Sequence, residues 1–209
     1  DILDFKTTYE QYIDDVLITG DIVSGTFSDY IPIYQQNGYR KFLLTMGNHD
    51  SVSAIGVDSE NLVPNIDKYN QYYASQIEEW DVTQPADASV NGYCYYYKDY
   101  DLSGGVFYSS TDITIPKLRL IVLDSMSYTA HQHNWLITTL ADAKTRGYAV
   151  VVAGHQIPME SAGDYTLFDT NFNSLQHGMD SSYGINNYSY LENEVRYKAT
   201  DAIDSFIND

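Results

Sequence analysis

The chain has 209 residues, 44% of them apolar, which suits one folded domain and excludes a disordered chain. Acidic residues outnumber basic ones by 29 to 11, for a net charge of −18, and the Lys and Arg are scattered; broad charge-driven binding to long nucleic acid is excluded and an anionic lipid surface is disfavoured. A single cysteine, Cys94, excludes an intrachain disulfide framework and a Cys-rich zinc module, and no apolar run reaches the ~18–20 residues of a membrane span.

In chain order, Thr7 to Ile13 carries helical periodicity. Asp14 to Gly20, DDVLITG, is a short apolar run closed by glycine and predicts a buried strand. Ser28 can cap a short helix running to about Gln36, with Gly38 as its stop. Lys41 to Met46, KFLLTM, predicts a second buried strand, followed at once by GNHD. Strand, helix, strand is the grammar of a parallel sheet, so the fold class is α/β. Asn65 to Trp80 predicts a helix between Pro64 and Pro85. Tyr93 to Asp101 and Gly105 to Ser110 predict a hairpin around a Ser-Gly-Gly turn. Lys117 to Leu123, KLRLIVL, predicts a strand. His133 to Lys144 predicts an amphipathic helix with Trp135, Leu136, Leu140 and Ala143 on one face, ended by Gly147. Tyr148 to Ala153 predicts another buried strand, followed by Gly154-His155. Residues 163–187 have loop composition, and Tyr197 to Ile207 predicts a final helix. No repeat or linker divides the chain, so 1–209 is expected to be one domain.

The chain carries 21 tyrosines. The run Tyr93, Tyr95, Tyr96, Tyr97 and Tyr100 suits the half-buried face of an amphipathic strand, with a stacking platform for sugars or bases as the alternative. Cys94 among them reads as a packed thiol.

Chemistry collects at strand ends. Gly20-Asp21, Gly47-Asn48-His49-Asp50 and Gly154-His155 each follow a predicted buried strand, and open α/β sheets bind ligands beyond the carboxyl ends of their strands. A carboxylate, an amide oxygen and an imidazole together suit divalent Mn, Fe, Zn or Ni better than Mg or Ca. Glycine before each lets the backbone turn sharply toward a compact site. Singly, a Gly-Asp or Gly-His after a strand reads as a turn. GNHD packs three chemically active side chains together, and the three motifs in order favour a shared metal site.

These residues make the sequence resemble the calcineurin-like metallophosphoesterase superfamily, whose motifs run D-x-H, G-D, G-N-H-[DE], G-H and G-H-x-H. LITGDIV matches the second, TMGNHD the third and VVAGHQIP the fourth; IVLDS with Asp124 and HQHNWLITTL resemble the strand and helix that precede the fourth. The resemblance covers most of Asp14 to Pro158, leaving 159–209 as a variable loop and final helix. It implies a four-layer αββα sandwich with mixed sheets, incomplete at both ends. It implies a metal-dependent hydrolase of phosphoester bonds that uses a metal-bound hydroxide at a dinuclear site, with two divalent ions (Mn, Fe, Zn or Ni) in the complete enzyme and one in this chain alone. Asp21 would bridge the ions, and Asn48 and His155 would bind one of them. His49 would give a proton to the leaving oxygen or stabilise the phosphoryl charge, and Asp50 would orient His49.

The first and last motifs have no counterpart: no His lies in residues 1–20, and the only His after His155 is His177, in QHGM. The expectation is therefore a piece of a longer polypeptide, with the missing strands supplied by the rest of the chain or by another chain. The alternative is a non-catalytic structural or interaction domain with a partial metal site. The expected partner is a small phosphorylated substrate, with no long nucleic acid and no membrane span. His131 and His133, flanking Gln132 at a helix start, read as surface and capping residues. His177, Met159, Glu160 and the loop to Asn173 are candidates for substrate contact only.

Overall fold

The computed structural model describes residues 14–20, 42–45, 47, 74–91, 93–102, 115–124, 128–155, 189–192 and 195–208. Val16–Ile18 (β1) and Phe42–Leu44 (β2) pair in parallel, Val16 opposite Phe42 and Ile18 opposite Leu44. The Thr45 amide donates to Ile18 O at 3.0 Å and carries the ladder one step past β2. All of β2 is buried, as expected of a wholly apolar strand in a sheet covered on both faces. Two short helices follow, Ala74–Glu79 (α1) and Ala86–Asn91 (α2). Next come Tyr96–Asp101 (β3), Lys117–Val122 (β4), the long helix Ala130–Arg146 (α3) and Ala149–Ala153 (β5). Ser189–Glu192 (β6) and Val195–Lys198 (β7) form an antiparallel pair that leads into Ala199–Asn208 (α4).

The second sheet runs β3-β4-β5, with β3 antiparallel and β5 parallel to β4, so it is mixed as expected. Successive side chains along β4 point to opposite faces, and both faces are dry. Leu120 and Val122 pack with Phe42, Leu43 and Leu44 of β2, Ile77, Trp80, Cys94 and Tyr96. Ile121 and Leu123 pack instead with Leu136 and Leu140 of α3 and Ala199 and Ala202 of α4. The layers among the described residues are thus β1–β2, then β3-β4-β5, then α3 with α4. This is a mixed α/β architecture with helices outside.

Tyr93, Tyr97 and Tyr100 are half-buried, as the amphipathic reading expects, and two of the run go deeper. Tyr95 and Tyr96 are both 0% exposed although they point to opposite faces. Tyr96 crosses between the sheets and donates its hydroxyl to Leu44 O at 2.8 Å, and burial drives its phenol pKa well above the usual value. Tyr95 packs on Trp135 at 5.0 Å and donates to Asp87 at 2.9 Å. Each ring buries apolar area while its polar tip finds an acceptor. Cys94 is a buried thiol, as expected.

Helix α3 starts three residues before the predicted His133 because Thr129 is its N-cap, accepting from Gln132 N at 3.2 Å. Gly147 closes it in the left-handed conformation, with Lys144 and Arg146 in the last turn where cations are favoured. His133 is consequently one turn inside the helix, which corrects its reading as a surface or capping residue. It is buried, its Nδ1 lies 3.0 Å from the Tyr128 hydroxyl, and its ring meets Tyr197 edge-on at 5.7 Å. Burial pushes its pKa down, opposed in part by Asp201. His131 is exposed, as expected.

The final helix begins at Ala199, so Tyr197 and Lys198, expected in the helix, belong to β7. Pairing with β6, which local periodicity does not reveal, overrides the helical pattern. Helix α1 lies within the predicted 65–80 segment, and α2 was not foreseen; Pro85 just before it is the available signal. The partner of β3 is β4. The predicted strand Gly105–Ser110, the helices at 7–13 and 28–36, residues 65–73 and the loop 163–187 lie outside the described residues.

Arg119 ties α3 to the sheet. It stands opposite Asp99 in the β3–β4 ladder and grips that carboxylate through Nε at 2.7 Å and Nη2 at 2.8 Å. Nη1 donates to Asp142 at 2.9 Å and to Thr139 O at 3.1 Å, both on α3. The guanidinium lies 4.1 Å from the Tyr97 ring centroid and is only 2% exposed. The Asp99 bond, set against burial, raises its pKa further. Arg119 is buried but Asp99 and Asp142 reach solvent, so its removal forfeits charge-assisted hydrogen bonds and packing, about 2 kcal/mol, and not the larger cost of a wholly buried pair. Arg119→Ala is therefore expected to lower the melting temperature by roughly 4–8 °C in a domain of this size. Arg119→Met keeps the volume and should cost less. A thermal melt of Arg119→Ala that overlays the parent would show that the cluster anchors nothing.

Candidate active site

The ends of β1, β2 and β5 meet although β5 belongs to the other sheet. Gly20, two residues past β1, has φ +87°. A Cβ there would stand 2.5 Å from His155 Nδ1 and 2.8 Å from both the Cα and N of Gly47. Gly20, Gly47 and His155, one residue from each glycine-led motif, therefore come together, and they do so only because residue 20 has no side chain. His155, two residues past β5, places Nδ1 2.6 Å from Thr19 O, joining chain positions 136 residues apart.

The neighbouring strand end is braced. Leu123 N donates to Ala153 O at 2.8 Å, extending the β4–β5 ladder toward Gly154. Asp124 follows and is buried; its Oδ2 accepts from Cys94 N at 3.0 Å. The Gln132 side chain takes the place of a strand partner for Asp124, accepting from its N at 2.9 Å and donating to its O at 3.1 Å. That pairing fixes the first turn of α3 against the tip of β4. The tyrosines nearby feel the carboxylates: burial first, then Asp124 and Asp87, raises the pKa of Tyr93.

Of the predicted site residues, His155 stands in this junction. Asp21, Asn48, His49 and Asp50 lie outside the described residues, as do Met159, Glu160 and His177; Gly20 and Gly47, which directly precede Asp21 and Asn48 in the sequence, form the junction with His155. Among the described residues alone, no group of three or more His, Cys, Asp or Glu is gathered as a metal-holding cluster. The sequence reading missed the Thr19 carbonyl, for which no side-chain signal exists. It also missed the Asp124–Gln132 brace, whose only signal is an acid at a strand end shortly before a helix.

The family model for calcineurin-like phosphoesterase matches residues 4–186, a span that contains all three strand ends. The chain belongs to the calcineurin-like phosphoesterase family. No curated protein and no solved structure matches it. For this calcineurin-like phosphoesterase, the match extends beyond the Asp14 to Pro158 core and takes in the Asn- and Ser-rich segment that follows. No helix among its described residues is long and apolar enough to cross a membrane.

Proposed function

We propose that this chain hydrolyses phosphoester bonds with divalent metal ions, and that Asp21, Asn48 and His155 are its metal-holding residues. The observation that supports this reading is the close approach of Gly20 to Gly47 and His155, one residue from each of the three motifs. Asp21 and Asn48 are the next residues in the sequence after those glycines. Their carboxylate and amide oxygens, with the His155 imidazole, are a donor set that fits Mn, Fe, Zn or Ni. In the complete enzyme two ions are proposed, which Asp21, Asn48 and His155 would help to hold together with further donors. When bound, such ions polarise the phosphoryl oxygen and lower the pKa of an attacking water. His49 supplies a proton to the leaving oxygen, and Asp50 holds the His49 ring in position for it. The net charge of −18 favours a small phosphorylated substrate over long nucleic acid.

The alternative reading is a non-catalytic structural or interaction domain with a partial metal site. One experiment separates the two. The full-length protein is stripped with a chelator and assayed on a generic phosphomonoester and a phosphodiester, before and after addition of Mn2+. Hydrolysis lost on stripping and regained with Mn2+ is expected. A titration of this chain alone with Mn2+ or Zn2+ should show one weak site that Asn48→Ala removes. Hydrolysis of neither ester, or hydrolysis indifferent to stripping, defeats the proposed function.

A further inference from the structure

We propose that the main-chain carbonyl of Thr19 presets the ring of His155, so that Nδ1 carries the proton and Nε2 is the nitrogen presented to a divalent cation. The proposal rests on the reading of His155 as a metal-holding residue. A peptide carbonyl has lone pairs and no proton to give, so a 2.6 Å contact between Thr19 O and His155 Nδ1 requires the hydrogen on the nitrogen. In a neutral imidazole one nitrogen then bears the proton and the other the in-plane lone pair. The lone pair is therefore on Nε2. A histidine that holds a metal through one nitrogen commonly gives its other N–H to a carbonyl or carboxylate, which fixes the ring and raises its basicity.

The approach of this carbonyl depends on its neighbour. Gly20 follows Thr19 with φ +87°, and any Cβ at position 20 would fall 2.5 Å from the same Nδ1. The peptide that turns the chain away from β1 is thus also the peptide that orients a side chain beyond β5 in the other sheet. Nothing in this bond requires an ion, so the ring is oriented before one arrives. The Thr19 side chain is exposed and takes no part; the residue positions His155 through its backbone alone.

The test is a long-range proton–nitrogen correlation on the metal-free, full-length protein carrying 15N-histidine, at mildly alkaline pH. His155 should show a protonated, pyrrole-type Nδ1 and a pyridine-type Nε2. Thr19→Ala, which keeps the carbonyl, should show the same pattern. Added Zn2+ should shift Nε2 and leave Nδ1 protonated. A protonated Nε2, or an average of the two tautomers, overturns the proposal. So does a Zn2+ shift at Nδ1, which leaves the metal reading of the site standing. Zn2+ that moves neither ring nitrogen overturns the proposal through the metal reading on which it rests.

Discussion

Gly20→Ala is expected to abolish divalent-cation binding and to lower hydrolysis by at least ~10²-fold, the scale on which a misplacement of about 1 Å costs an active site. The residue has φ +87°, and a non-glycine side chain in the left-handed region costs roughly 1–2 kcal/mol. The larger effect is steric. The new Cβ would meet the backbone of Gly47 at 2.8 Å, and backbone cannot swing aside as a flexible side chain can. Relief requires the end of β1 to move away from the end of β2 or from His155. Gly147 is the internal control, because it too has a positive φ, +68°, but a Cβ there would have nothing within 4 Å. Gly147→Ala should therefore carry the backbone cost alone, lowering stability slightly while leaving catalysis intact. Paired measurements of Mn2+ affinity and initial rate decide the matter. Equal behaviour of the two variants would show that the junction at Gly20 has no part in the chemistry.

His49→Ala is expected to slow hydrolysis by about 10²–10⁴-fold, the usual contribution of a positioned proton donor. On the proposed role of His49 at the leaving oxygen and not at the metal, the Mn2+ titration of this variant should match the parent. The loss should also depend on the substrate. An ester whose leaving group departs readily without a proton, such as a nitrophenol, should lose far less than an alkyl ester. Asp50→Asn, which weakens only the orientation of His49, should fall between parent and His49→Ala. A uniform loss across leaving groups would instead assign His49 to stabilising the phosphoryl charge, and a parallel loss of Mn2+ binding would reassign it to the metal.

Much of the architecture was legible because it is written in short runs. The short apolar runs VLI, FLL and AVVVA, each leading toward a glycine, mark strands; FLL is wholly buried as expected, whereas Val16–Ile18 and Ala149–Ala153 are only half-buried and Val151 is exposed. The face of α3 followed from Leu136, Leu140 and Ala143, all buried. What escaped depends on partners far along the chain. Tyr197 and Lys198 read as helix until β6 pairs with β7. Arg119, in the middle of KLRLIVL, gives no hint that carboxylates from β3 and α3 enclose it. His133 looked like a helix start because the true cap, Thr129, lies four residues earlier. At the site, the position of the three motifs at strand ends foretold the meeting of Gly20, Gly47 and His155. The Thr19 carbonyl that meets His155 could not be foreseen, since every residue but its conformation offers the same backbone oxygen.

The 136-residue span of the Thr19–His155 bond also bears on the order in which the domain assembles. Strand β4, helix α3 and strand β5 are consecutive, from Lys117 to Ala153, and their parallel pairing closes around one helix. Such a unit needs only short loops to close, whereas the entropy of joining two points grows with the length of chain between them. The β4–α3–β5 unit can therefore nucleate by itself, and the end of β1 reaches His155 only when the layers between have condensed. On loop length alone, the junction at Gly20 is expected to form after that unit.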